Sequence, residues 1–157
     1  SHALQLARSL SVEFDGSAKL VREDFDQLAE YCIEESGLDL PKPTCARIAA
    51  QVARMSAGYQ ESLAEPFIEL LEFVRSKDGP ERSTAEAIDV CMEAMKAGPI
   101  AARNYIQAFQ YARSEQGMRL SSVDAMKFAK RIALRSEPIE PVPSPNQNRK
   151  LSESPAP

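Results

Sequence analysis

The spacing of the apolar side chains constrains the fold most strongly, because it recurs every three or four residues along most of the chain. This spacing lines one face of an α-helix, whereas a half-buried β-strand needs apolar groups at every second residue. No segment alternates convincingly in the second way. The sequence therefore predicts an all-α fold of about six helices, arranged as a compact bundle or a short stack. One such apolar face consists of Phe25, Leu28, Ala29, Cys32 and Ile33.

Residues that commonly begin helices indicate where several of these helices start. Ser83 precedes Glu86 by three residues, and Ser121 precedes Asp124 by three residues, which is the spacing of a capping box. Thr44 is a suitable N-cap for the helix that follows the prolines at positions 41 and 43. We therefore expect helices to begin directly after Thr44, Ser83 and Ser121.

Two segments resemble each other in residue type, namely residues 84–91 and residues 122–129, which lie 38 positions apart. Helix-pair solenoids repeat on this scale, and their stacked pairs form concave surfaces that bind peptides. A solenoid needs three or more units, and no convincing third copy is evident in the sequence. The resemblance is equally expected of two amphipathic helices with similar caps, so both explanations stay open.

The chain divides into three parts by composition. Residues 1–16 form an N-terminal segment that we expect to be partly helical, and residues 17–137 form the all-α globular domain. Residues 138–157 contain six of the eleven prolines and few large apolar side chains. Such a segment cannot bury enough surface to offset its ordering entropy, so a disordered tail is predicted. The spacing Arg135-x-x-Pro138-x-x-Pro141, which runs into the tail, is found in polyproline ligands. Glu137 and Glu140 precede the two prolines where such ligands carry hydrophobic residues, so a flexible spacer is the favoured interpretation.

The cysteines and the hydropathy together favour a cytoplasmic protein. Cys32, Cys45 and Cys91 are widely spaced, form no CxxC pair, and fall on apolar helix faces, where cysteine behaves as a small hydrophobe. An odd number of such thiols favours a reducing compartment over a disulfide framework. No apolar run approaches the roughly 20 residues of a membrane span, so we expect no membrane association.

Motifs for catalysis and for cofactors are missing from the sequence. The single histidine, His2, leaves no material for Ser–His–Asp or Cys–His arrangements, and no glycine-rich phosphate-binding loop is present. The acidic residues Glu23, Asp26 and Glu30 share one helix surface and are best interpreted as a solvated face. We therefore expect no catalytic residue and no cofactor, with a carboxylate-based enzyme as a minor alternative.

A short N-terminal segment resembles a degenerate EF-hand loop. Glu13, Asp15, Ser17 and Asp24 stand at the first, third, fifth and twelfth positions, where such a loop carries oxygen ligands for calcium. The sixth position is Ala18 instead of the glycine that the sharp turn requires, and the twelfth is aspartate instead of glutamate. Calcium binding at these four residues is therefore a lesser alternative.

The segment after Pro66 carries more apolar side chains than one buried helix face needs. A stripe this wide indicates either a central core helix or a helix covered by a partner. Phe67, Ile68, Phe73 and Val74 are the candidate partner-binding residues on this helix. The leading functional hypothesis is a non-catalytic helical protein–protein interaction module (an adaptor, chaperone-like or regulatory domain) that binds another protein or a second copy of itself.

Nucleic-acid binding is the main alternative function. Lys127, Lys130, Arg131 and Arg135 gather on the outer side of the last predicted helix. Cations in a final helical turn also complement the helix dipole, which is a sufficient structural reason for them. The net charge of −4 makes a nucleic-acid footprint the weaker hypothesis, because such footprints concentrate many cations on one face.

Overall fold

The computed structural model describes residues 15–135, and within this range the regular secondary structure consists of helices alone, without β-strands. The predicted all-α fold is therefore confirmed. Residues 1–14 of the predicted N-terminal segment (1–16) and the whole predicted proline-rich tail (138–157) lie outside the described residues. The helices in this range are α1 Asp15–Ile33, α2 Lys42–Tyr59, α3 Ala64–Arg75, α4 Thr84–Met95, α5 Ala101–Arg113 and α6 Ser122–Leu134.

The helices are arranged as three hairpins, α1–α2, α3–α4 and α5–α6, each joined by a connector of eight residues. Helices α1, α3 and α5 contact one another in sequence to form one layer, and α2, α4 and α6 form the other. In the described part of the chain, the first and third hairpins contact only the second and not each other. Contact restricted to the adjacent hairpin is the arrangement of a helical-repeat stack.

The structure contains a third copy of the repeat, which the resemblance between residues 84–91 and 122–129 does not reveal. In every connector, an N–H group near its end donates to the carbonyl of the penultimate residue of the preceding helix. These hydrogen bonds join Leu40 to Cys32 (2.9 Å), Arg82 to Val74 (2.8 Å) and Leu120 to Ala112 (2.7 Å). The segments 84–91 and 122–129 thus occupy equivalent positions in the second and third hairpins, and the first hairpin supplies the equivalent segment in α2.

Each connector also requires a glycine at the same place. A Cβ on Gly37, Gly79 or Gly117 would lie 2.0–2.1 Å from the carbonyl oxygen of the residue six positions earlier. Only glycine leaves room for such a close backbone approach. The preceding residues are the aromatic side chains Tyr31, Phe73 and Tyr111, so an aromatic residue followed six positions later by glycine marks all three copies.

Two of the three predicted helix caps are confirmed. The Ser83 and Ser121 hydroxyls each accept a hydrogen bond, at 3.2 Å, from the N–H group three residues later. The prediction for Thr44 is wrong, because α2 begins at Lys42 with Pro41 as its N-cap residue. Pro43, in the first turn of α2, costs no hydrogen bond, because the first N–H groups of a helix have no partner within it.

The core lies between the two layers. Its largest side chains include Leu28, Phe67, Leu70, Tyr105 and Phe109, all at most 2 % exposed. The cysteines Cys32, Cys45 and Cys91 are buried and free, as predicted. No helix in the described range is both long and apolar enough to cross a bilayer.

Candidate functional site

The structure places the four predicted partner-binding residues of α3 largely in the core. Phe67 and Val74 have no exposed surface, so they are unavailable to a partner in this fold. Ile68 and Phe73 are partly exposed, and the Phe73 ring packs edge-on against Phe109 with centroids 5.5 Å apart. The apolar stripe is wide because α3 contacts all four of the helices α1, α2, α4 and α5. The central-helix interpretation therefore accounts for Phe67 and Val74.

The calcium-loop alternative conflicts with the backbone of α1. Residues 15–24 belong to this helix, whereas an EF-hand loop must wrap its ligands around one ion. Of the four candidate ligands, Glu13 lies outside the described residues, Asp15 and Ser17 lie in the helical backbone, and Asp24 is 2 % exposed. No group of three or more His, Cys, Asp or Glu side chains in the described range could hold a metal ion.

Asp24 instead connects the first hairpin to the start of α3. Its carboxylate accepts hydrogen bonds from the Ser62 hydroxyl at 2.7 Å, from the Leu63 N–H at 3.1 Å and from the Ser56 hydroxyl. The Leu63 N–H also lies 3.0 Å from the Ser56 hydroxyl oxygen, so the four groups form one network. Because every donor belongs to the chain itself, this buried carboxylate has a structural role.

A groove between α4 and α6 is the most promising binding site in the described part of the chain. It lies where the second helices of the second and third hairpins run side by side, with α5 beneath them. Its cavity volume is about 330 Å³. The lining residues are Arg82, Asp89, Val90, Glu93 and Ala94 around α4, Tyr105 of α5, and Val123, Met126, Lys127, Lys130, Ala133 and Leu134 of α6.

The groove is apolar along its length and remains open to solvent. Ala94 and Ala133 are buried, and their small side chains leave the space between the two helices unfilled. Val123 and Leu134, on the α6 wall, are 50 % and 42 % exposed. Tyr105 is almost completely buried, and this burial is the main cause that raises the pKa of its hydroxyl to about 12. The groove therefore offers an apolar surface, and the buried Tyr105 phenol beneath it stays neutral at neutral pH.

The two walls of the groove carry opposite charges. Asp89 and Glu93 lie on the α4 wall, and Lys127 and Lys130 lie on the α6 wall. Arg82, which precedes α4, also lines the groove, but its guanidinium is paired with the Glu86 carboxylate at 3.4 Å. A hydrogen bond of 3.0 Å from Lys96 lowers the pKa of Glu93, and the charge of Lys130 adds to this effect. Glu93 therefore stays ionised at neutral pH, and a ligand in the groove meets an acidic edge and a basic edge.

The four residues of the nucleic-acid alternative do not form one surface. Lys127 and Lys130 line the groove, opposite the carboxylates of α4. The Arg131 guanidinium lies over the Phe128 ring, 5.9 Å from its centroid, and Arg135 is exposed at the C-cap of α6. A polyanion laid along the groove would meet Asp89 and Glu93 as well as the lysines, so this geometry favours a ligand of mixed charge.

The equivalent interface between the first and second hairpins is more polar. Gln51, Arg54 and Lys96 line a groove there together with Met55 and Met92. The three polar side chains are exposed, whereas both methionines are partly buried. The half-exposed apolar side chains of α6 thus distinguish the α4–α6 groove from its counterpart. Sequence patterns do not predict the groove, because it forms between two helices. They do place Val123, Lys127 and Lys130 on one face of α6.

Comparisons of the chain with protein-family models, with curated proteins and with solved structures found no match. The geometry of the α4–α6 groove is therefore the observation from which a function can be inferred.

Proposed function

We propose that this chain is a non-catalytic protein–protein interaction module that binds an apolar segment of another protein in the α4–α6 groove. The observation that carries the proposal is the apolar α6 wall, where Val123 and Leu134 remain half exposed beside a base of alanines. Helical-repeat stacks commonly use the surfaces between adjacent units for such contacts. The burial of three free thiols fits the cytoplasmic location that belongs to this proposal.

The energetics fit a contact of modest affinity. Complete burial of an aliphatic side chain contributes about 1.5–3 kcal/mol, so covering two half-exposed ones contributes roughly 0.8–1.5 kcal/mol each. Apolar groups of the partner that fill the remaining space add to this. The charged edges orient the partner, since its acidic side chains would face Lys127 and Lys130 and its basic ones would face Asp89 and Glu93.

The proposal is tested by selecting binding peptides from a random displayed library on the purified chain. The selected peptides are then titrated against the wild type, Leu134→Lys and Met118→Lys. The two substituted side chains are matched, because they are 42 % and 41 % exposed and only Leu134 lines the groove. We expect Leu134→Lys to weaken binding at least tenfold and Met118→Lys to leave it unchanged. Equal affinity for all three proteins would contradict the proposal.

A second copy of the chain is the competing occupant of the groove. Light scattering coupled to size-exclusion chromatography distinguishes the two cases. A monomer is expected if the groove serves a different protein. A dimer that Leu134→Lys converts to a monomer, while Met118→Lys does not, would assign the groove to self-association instead.

A further inference from the structure

We infer that residues 137–145 of this chain occupy the α4–α6 groove in cis, so that a partner must displace them. The inference rests on the proposed function of the groove as a binding site. It starts from the place where the chain leaves α6. Leu134 is the last residue of α6 and lines one end of the groove, and Arg135 is its C-cap residue. The following segment therefore begins at the mouth of the groove.

Apolar side chains and acidic side chains each recur in this segment at a spacing of three residues. Ile139, Val142 and Pro145 form an apolar series, and Glu137 and Glu140 form an acidic one. A polyproline II helix has three residues per turn, so each series lies along one side of it. The prolines at positions 138, 141, 143 and 145 favour this conformation, because their φ angles match it.

The dimensions of the segment and of the groove agree. Ile139 to Pro145 spans about 19 Å in a polyproline II helix. The α6 wall from Val123 to Leu134 spans about 17 Å at the rise of an α-helix. The residues between Leu134 and Ile139 are enough for the chain to reverse direction, since a β-turn needs four residues. The apolar series can therefore lie along the whole apolar wall.

The charges agree as well. With the apolar series in the groove, the acidic series lies to one side of it, and Lys127 and Lys130 provide the basic edge on the α6 side.

The covalent link between α6 and the segment also favours the contact. A short flexible link gives an effective concentration of roughly millimolar, so even a weak contact would be occupied most of the time.

The test compares the full chain with a double variant, Ile139→Asp and Val142→Asp, by NMR of the side-chain methyl groups. We expect the Val123, Met126 and Leu134 methyl resonances to shift in the double variant. Leu151→Asp is the control, because Leu151 lies in the same tail but outside the apolar series. Identical groove resonances in the full chain and the double variant would overturn the inference.

A second measurement separates this inference from the proposed function. The peptides selected on the groove should bind the double variant about tenfold more tightly than the full chain, because the competing segment is lost. Equal affinity for both proteins would overturn occupation in cis while leaving the proposed function intact. Addition of a synthetic peptide of residues 136–146 to the double variant should restore the original methyl shifts, and its failure to do so would also count against the inference.

Discussion

The Asp24 carboxylate accepts a hydrogen bond of 3.1 Å from the main-chain N–H of Leu63, which begins the second hairpin 39 residues later. The same carboxylate takes a hydrogen bond of 2.7 Å from Ser62 and another from Ser56. Because α1 and the α2–α3 connection share this one buried group, the first hairpin is fixed to the second by polar as well as apolar contacts. Buried, fully satisfied networks of this kind specify one packing arrangement.

Asp24→Ala should lower the free energy of unfolding by about 2–4 kcal/mol, because the hydroxyls of Ser56 and Ser62 lose the acceptor they share and Ser56 keeps only the Val52 carbonyl, at 3.2 Å. The Leu63 N–H keeps the Ser56 oxygen at 3.0 Å, so it is not left without an acceptor. Urea unfolding followed by circular dichroism measures the change.

Asp26→Ala is the matched control for this prediction. Asp26 lies in the same helix, two residues away, and is exposed. Its substitution makes the same change of side chain and should alter stability by no more than about 0.5 kcal/mol. Similar losses for the two variants would show that the Asp24 network adds nothing to stability.

Gly79→Ala should destabilise the protein by more than about 1 kcal/mol, because the added methyl carbon would lie 2.1 Å from the Phe73 carbonyl oxygen. The connector backbone must move to accept it, and the hydrogen bond from Arg82 to Val74 lies in the same connector. The thermal midpoint of unfolding, together with urea titration, measures the loss.

Gly58→Ala provides the opposite expectation with the same chemical change. Apart from the adjacent residues and the nearby backbone of α2 itself, no atom lies within 4 Å of a Cβ built on Gly58. Alanine has a higher helix propensity, so stability should rise by up to about 1 kcal/mol. If both alanine variants were equally stable, the close approach at Gly79 would not be a constraint on the fold.

Much of the fold follows from local patterns in the sequence. The caps at Ser83 and Ser121 and the burial of the cysteines depend on spacing within single helices, where a period of 3.6 residues is informative. The first copy of the repeat is hard to detect by residue type, because its cap position holds Pro41. Of the residues in and just before its connector, only the aromatic residue Tyr31 and the glycine Gly37 recur in all three copies. Backbone contacts define that copy, and such contacts are compatible with many different side chains.

The site depends on relationships that a single helix does not show. The groove forms between two helices, with Ala94 of one and Ala133 of the other among its lining residues, and neither helix alone indicates that they line the same cavity. Asp24 left a usable signal, since it precedes the buried residues Leu28 and Cys32 at intervals of four and thus shares their face. Its acidic neighbours, which are solvated, concealed this position in the sequence.

The three native thiols should be unreactive toward an aromatic disulfide reagent at pH 8. Cys32 and Cys91 have no exposed surface, and burial raises the pKa of Cys32 to about 12 and that of Cys91 well above its usual range. Only the thiolate attacks a disulfide, so reaction must await opening of the fold. Absorbance of the released thiolate measures the rate.

Denatured chain in guanidinium chloride is the positive control, in which all three cysteines should react quickly. The Asp24→Ala variant should react faster than the wild type in buffer, because its open state is more populated. Rapid reaction of any thiol in the folded wild type would show that the core is accessible.

Stability should fall as the pH rises above about 9, and Tyr105→Phe should reduce the fall above pH 10. Burial raises the pKa of Tyr105 from 10.0 to about 12 and that of Cys32 from 9.0 to about 12. Between pH 10 and pH 12 the unfolded chain has released the Tyr105 proton while the native chain retains it, and the same holds for the Cys32 proton between pH 9 and pH 12. The native state thus binds more protons, and each such group lowers the free energy of unfolding by up to about 1.4 kcal/mol per pH unit.

The contribution of Tyr105 is isolated by urea unfolding of wild type and Tyr105→Phe at pH 7 and at several values from pH 9 to pH 12. The difference in stability at pH 7 gives the cost of removing the hydroxyl itself, since no tyrosine or cysteine side chain is appreciably ionised at that pH. From pH 9 to pH 10 the two curves should diverge only slightly, because the Tyr105 phenol of the unfolded chain, with a pKa of 10.0, is at most half ionised there. Above pH 10 the wild type should lose stability more steeply, and parallel curves up to pH 12 would mean that the Tyr105 phenol loses its proton as readily in the fold as in the unfolded chain.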